Sequence, residues 1–212
     1  MAITLNGTTG IASVDASVSA PSVRGTDGNT GISYGADSIK FSTGGVERLA
    51  ISNTGVTGAG LFTSYAILRQ EENNDVDGGT SVADTWTTRV INTEVADPDG
   101  IVSLSSNEFT LGAGNYLIKW VSNFHKTKGI KTRLYGDSAV RGISLSMYAG
   151  SSEAVSGNSQ GIARVTPTGD TAYKLEYYVN NANNNTGLGR AMGNTADGQK
   201  EVYTIVEIYK EA

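Results

Sequence analysis

The 212-residue chain contains no cysteine, only three prolines and a single histidine. Without cysteine there are no disulfides, no thiolate metal sites and no cysteine nucleophile, so another source of stability is required. With one histidine, no triad or metal pair can draw on several imidazoles. Charged residues are few (17 %) and scattered, and the net charge is −5, which argues against binding a phosphate backbone through concentrated Lys and Arg. No apolar run approaches the roughly 18–20 residues needed to span a bilayer, so membrane insertion is not expected. The start Met1-Ala2-Ile3-Thr4-Leu5-Asn6 lacks the basic and apolar stretches of a secretory signal, which gives an expectation of cytoplasmic synthesis and assembly.

What the chain does have is glycine (27), with Thr, Ser and Asn recurring throughout. Long helices need Ala, Leu, Glu and Lys. This mixture instead favours strands joined by Gly- and Asn-rich turns, and the fold class is all-β.

Residues 1–62 differ from the rest. A loose phrase recurs as Thr9-Gly10-Ile11, Asn29-Thr30-Gly31-Ile32 and Asn53-Thr54-Gly55-Val56. Between these lie short alternations, Ser38–Ser42 and Arg48–Ser52, separated by the hairpin signal Gly44-Gly45. Strands this short bury too little to offset about 1–2 kcal/mol of backbone entropy per ordered residue. The segment should not fold alone. Its regular alternation with β-branched residues favours a multichain β-stem over disorder.

Residues 63–212 carry longer strands with aromatics. Candidates are Tyr65–Arg69, Trp86–Ile91, Phe109–Leu111, Tyr116–Phe124, Ile143–Met147, Tyr173–Val179 and Glu201–Lys210. In Tyr116–Phe124, Tyr116, Ile118, Trp120 and Phe124 share one face. The last strand alternates Val202, Thr204, Val206 and Ile208 with Tyr203, Ile205 and Tyr209, so both faces are apolar and both should be buried. The second face then calls for a partner surface, and a three-fold axis would supply it. Tyr203, Ile205 and Tyr209 are the candidates for that interface, with Tyr178 from the Tyr173–Val179 strand.

The head resembles the tumour-necrosis-factor and complement-globular-head jelly rolls found at the ends of phage fibres. The similarity is carried by Thr88–Asn92, Ser103-Leu104, Phe109–Tyr116, His125-Lys126, Thr132–Tyr135, Gly187-Leu188-Gly189 and above all the ending Glu201–Lys210. The phrases Ala20–Asp27, Thr30-Gly31-Ile32 and Phe41–Leu49 are similar to stem repeats of phage and cyanophage tail fibres. The resemblance implies a trimeric, ten-stranded antiparallel jelly-roll head, preceded by a short intertwined β-stem, in a virion assembled in the host cytoplasm. It implies a homotrimer that meets other virion proteins through its N-terminal segment, where Ile3, Leu5 and Ile11 are candidate attachment residues. An outward-facing head touching a host glycan and a capsid decoration protein that touches no receptor both fit. The acidic stretch Glu71–Ala83 departs from the family pattern.

Few residues offer chemistry. Asp75-Val76-Asp77-Gly78-Gly79 begins like a calcium loop, with Asp75 and Asp77 as candidate ligands, but the full spacing and closing Glu are missing. A solvated acidic connection is the simpler reading, and neither a metal nor a cofactor is expected. Gly187–Gly193 lacks the strand, helix and distant acid of a dinucleotide site and reads as a loop. His125 has no nucleophile motif near it, and no carboxylate pair has glycosidase spacing, so enzyme activity is not expected. The basic group His125, Lys126, Lys128, Lys131 and Arg133 reads foremost as a solvated strand edge, where Lys also blocks unwanted pairing. The tract Asn180–Asn185 supplies amides suited to sugars, or simply a wide turn. Asn181, Asn183, Asn184 and Asn185, with Lys126 and Lys128, are the candidate receptor contacts.

Overall fold

A computed structural model describes residues 5–6, 10–11, 17–53, 55–58, 62–148, 156–193 and 198–211. The described residues contain no helix, and the strands pair antiparallel throughout. The chain divides into two compact units, Met1–Leu61 and Phe62–Ala212.

In the first unit, β1 (Leu5–Asn6) pairs with β2 (Gly10–Ile11). A second sheet runs in sequence order through β3 (Val23–Arg24), β4 (Gly31–Gly35), β5 (Ser38–Thr43), β6 (Val46–Ser52) and β7 (Gly55–Thr57). Gly44 and Gly45 make the β5–β6 turn with φ of 59° and 77°, the mirror-image geometry that only glycine adopts cheaply at both positions. Each strand of this meander pairs with its sequence neighbour in the same chain.

The second unit comprises β8 (Phe62–Glu72), β9 (Thr87–Thr88), β10 (Thr93–Ala96), β11 (Val102–Ser105), β12 (Glu108–Leu111), β13 (Tyr116–His125), β14 (Gly129–Gly136), β15 (Ala139–Ile143), β16 (Met147–Tyr148), β17 (Ser156–Val165), β18 (Thr171–Val179) and β19 (Glu201–Glu211). Sheet I has the order β10-β8-β19-β13-β17. Sheet II follows β11-β12-β18-β14-β15, with the short β9 on β18 and β16 on β14. From β12 to β19 the chain crosses repeatedly between the two sheets, and the ten strands of the two paths make a jelly roll. Two expected strands are shorter than their alternation suggests. Of Trp86–Ile91 only Thr87–Thr88 forms a strand, and Ile143–Met147 runs from the last residue of β15 to the first of β16, with residues 144–146 outside both.

The inward side chains form two apolar clusters. The larger contains Leu68, Phe109, Leu111, Ile118, Trp120, Leu134, Leu175, Val206 and Ile208. The smaller holds Phe124, Ile130, Tyr177, Val179 and Leu188. Along β13 and β14 a polar residue separates them, Ser122 between Trp120 and Phe124 and Thr132 between Leu134 and Ile130. Gln70, Ser159 and Thr204 are buried polar residues of β8, β17 and β19.

Arg89 enters this layer with no solvent exposure. Its Nε donates to Thr204 Oγ1 at 2.7 Å, its Nη2 donates to the Leu188 and Tyr203 carbonyls, and its guanidinium lies 5.0 Å from the Phe124 ring centroid. Thr204 Oγ1 in turn donates to Ser122 Oγ, and Trp120 Nε1 donates to Thr132 Oγ1. Desolvation lowers the proton affinity of Arg89, bringing its pKa down to about 9, so the group stays cationic at neutral pH. Replacing Arg89 with Ala would open a cavity and strip two carbonyls and a hydroxyl of their donors. The expected loss in a urea denaturation series is about 3–5 kcal/mol.

Candidate functional site

The two outer faces of the jelly roll differ in character. On sheet II, register places Lys131 beside Tyr178, Arg133 beside Glu176 and Tyr135 beside Lys174. Glu176 binds Arg133 at 2.7 Å and Lys174 at 3.3 Å, while the Arg133 guanidinium lies 4.1 Å from the Trp86 ring centroid. The central charges of this face pair with one another.

On sheet I, three rows cross the central strands. They are Arg69–Ile205–Val121–Gln160, Ile67–Glu207–Lys119–Ile162 and Tyr65–Tyr209–Leu117–Arg164. Seven of these twelve side chains are apolar or aromatic. Two of the charges are already engaged, since Arg164 pairs with Glu211 and Lys119 sits 5.5 Å from the Tyr209 ring centroid. The phenol of Tyr209 is raised above its ordinary pKa by burial and by Glu207. Beyond β17, the backbone of Leu145 donates to Gln160, which brings Ile143 and Leu145 alongside this face. Both are largely exposed, as are Ile162 and Tyr65. Lys119, Val121, Ile143, Leu145, Ile162 and Ile205 line one depression there. Gly161 and Gly142 are glycines for a local reason, because a Cβ would collide with the Trp120 indole at Gly161 and with the Ala163 side chain at Gly142.

Of the four residues expected at a three-fold interface, the structure brings two together. Ile205 and Tyr209 lie on the outer face of sheet I, opposite Val121 and Leu117. Tyr178 lies on the other side of the sandwich, where its hydroxyl donates to Asp84 and its ring packs on Trp86. Tyr203 is not on an outer face at all, a correction to the strict alternation read from the sequence. The β8–β19 register shifts between Val202 and Thr204, and Tyr203 turns under its own chain. It is 3 % exposed, it donates to the Val76 carbonyl at 2.8 Å, and burial raises its phenol well above the usual range. Gly78 and Gly189 leave the space its ring occupies.

The Lys126–Lys128 turn and the Asn180–Asn185 tract do lie together. Asn181 Nδ2 donates to the Lys126 carbonyl, Asn183 Nδ2 donates to that of His125, and the Asn181 amide donates to Thr127. Asn181 and Asn183 therefore spend their amides on knitting two loops, whereas Asn184 and Asn185 are exposed. Lys126 and Lys128 both take positive φ in the turn. In the acidic loop, Asp77 Oδ1 accepts from the Ala191 amide and Asp75 occupies a left-handed turn position. No group of three or more potential metal-ligating side chains occurs among the described residues. Leu5 is the register partner of Ile11 in the β1–β2 pair, and Ile3 lies outside the described residues. Sequence reasoning missed the depression itself, because Ile143 and Leu145 reach it only through the fold.

The architecture is that of an all-β, antiparallel jelly roll. Among solved structures, this chain is similar to murine APRIL at pH 5.0, with 12 % identity over 69 % of this chain and 98 % of that one and a TM-score of 0.47. It is also similar to the globular domain of the zebrafish complement 1qA protein, with 17 % identity over 70 % and 96 % and a TM-score of 0.42. No family model and no curated protein matches the chain.

His125 is buried, its Nδ1 is 3.0 Å from Ser156 Oγ, and its carbonyl is held by Asn183. Desolvation first, then Lys126 and Arg190, lower its pKa below the usual 6.5, against an opposing pull from Asp77. The folded state therefore binds this proton less readily than the unfolded chain. Stability is full above about pH 6.5 and falls as pH drops through that value toward the lower folded pKa. Thermal melts between pH 7.5 and 5.5 should show this decline, and His125→Gln should flatten it.

Proposed function

We propose that this protein is a non-enzymatic structural component of a bacteriophage particle, a homotrimeric short fibre whose head projects outward and contacts the host surface. The observation that carries the trimer is the outer face of sheet I. Apolar or aromatic residues make up seven of the twelve side chains in its central rows, exposed Ile143 and Leu145 border it, and the central charges of the opposite face pair with one another. Exposed apolar patches of this kind mark association sites. A face and a neighbouring edge are different surfaces, so joining one to the other is heterologous, and where its rotation closes it makes a ring rather than a two-fold pair. Three copies make the smallest such ring.

The stem phrases around Ala20–Asp27 and Phe41–Leu49 support a place in a virion, with Leu5, Ile11 and the rest of the N-terminal segment meeting other particle proteins. The Lys126–Lys128 turn and exposed Asn184 and Asn185 are the surface offered to a host glycan. A capsid decoration role uses the same trimer without that contact, and saturable adsorption of purified protein to host cells separates the two. Immunogold electron microscopy of intact particles tests the virion assignment.

Sedimentation should give three times the 22.1 kDa chain mass. Ile205→Asp would place a carboxylate in the depression, and the expected product is a folded monomer with unchanged β-type circular dichroism. A native protein that sediments as a monomer at micromolar concentration overturns the reading.

A further inference from the structure

The β3–β7 sheet has one face built mainly of large apolar side chains, with Thr43, which accepts from Arg48 Nε, at its edge. Its register aligns Val23, Ile32, Phe41 and Leu49 in one row and Tyr34, Ile39, Ile51 and Val56 in the next. The other face carries Ser33, Lys40 and Ala50 in one row, with Gly31 and Ser42 in another. A register shift between Phe41 and Ser42 sets Glu47 opposite Ser42, where it pairs with Lys40 at 3.0 Å. Neither apolar row contains a charge.

An antiparallel sheet ordinarily buries its apolar face and wets its polar one. Here the pattern is inverted. Six of the eight apolar side chains are exposed, from 36 % at Phe41 to 63 % at Val56, whereas Ser33, Ser42 and Ala50 are buried. Eight adjoining chains of this size make a patch on the order of several hundred Å², more than scattered surface residues would explain.

We propose that this face is covered by the same face of two further copies, three sheets packing as the sides of a closed prism with every strand pair kept within its own chain. The three-fold count rests on the reading of the head given above. The meander already supplies hydrogen-bonding partners for its inner strands, so what its apolar face lacks is a covering layer rather than a strand. With no charge in either row, a charged partner would find nothing to pair with, while an identical apolar face matches in kind. The patch alone is smaller than the roughly 800 Å² per partner of a standard interface. A copy tethered to an associating head arrives at the high effective concentration that lets so small a surface suffice.

The chain has no cysteine, so a single introduced thiol reports alone. Ile39 is 38 % exposed and the neighbouring Lys40 side chain, on the opposite face, is 39 % exposed. In an isolated chain, Ile39→Cys and Lys40→Cys should therefore react with maleimide at similar rates. In the full-length assembly, the proposal expects Ile39→Cys to react roughly tenfold more slowly, because covering the face protects it. It also expects Ile39→Cys to form interchain cross-links on mild oxidation, and Lys40→Cys to form none. Equal reactivity without cross-links in a protein that still sediments as a trimer would overturn the prism and leave the head assembly standing. A monomeric native protein would overturn both. Cross-linked Ile39→Cys in a protein that sediments as a dimer would replace the prism with a two-layer sandwich.

Discussion

Apolar surface that one polypeptide cannot cover governs both units of this protein. A β-sheet has two faces, and the chain has enough material to bury only some of them. The jelly roll solves the problem for its inner faces by stacking sheet I on sheet II. The outer face of sheet II is solved by chemistry instead, since Glu176 holds two cations and Trp86 stacks on one of them. The outer face of sheet I is served only in part, by Arg164 with Glu211 and by Lys119 over Tyr209, and the apolar face of the β3–β7 meander by neither means. Under the proposed trimer, further copies of the chain supply that cover, and association becomes part of folding rather than an addition to it.

Several of these features are legible in the sequence. The alternation of Tyr116, Ile118, Trp120 and Phe124 identifies the inner face of β13, and all four are buried. Gly44-Gly45 announces its turn because two consecutive positive φ values leave few other choices. Ile205 and Tyr209 reach an outer face as period-2 spacing requires. What stays hidden depends on partners distant in the chain. Tyr203 departs from the alternation because of a register shift, and a bulge is a property of the pairing with β8 that β19 alone does not encode. Tyr178 alternates correctly, but its strand belongs to sheet II, so its outer side looks away from that of β19. Arg89 lies in a stretch that reads as an ordinary strand, and nothing local marks it as the most deeply buried charge of the head. The Asn tract is read correctly as loop material, yet Asn181 and Asn183 are occupied by backbone carbonyls ten or more positions away in space-filling loops.

The polar layer between the two apolar clusters has a further consequence. Apolar side chains are largely interchangeable, and two greasy sheets could slide past one another by a pair of residues at modest cost. A guanidinium cannot. Displaced by one step of the pleat, Arg89 would leave the Thr204 hydroxyl and meet Val206, whose side chain has no oxygen to offer. The buried cation thus acts as a key cut for a single alignment of the sandwich, trading some favourable energy for uniqueness of the stacked arrangement.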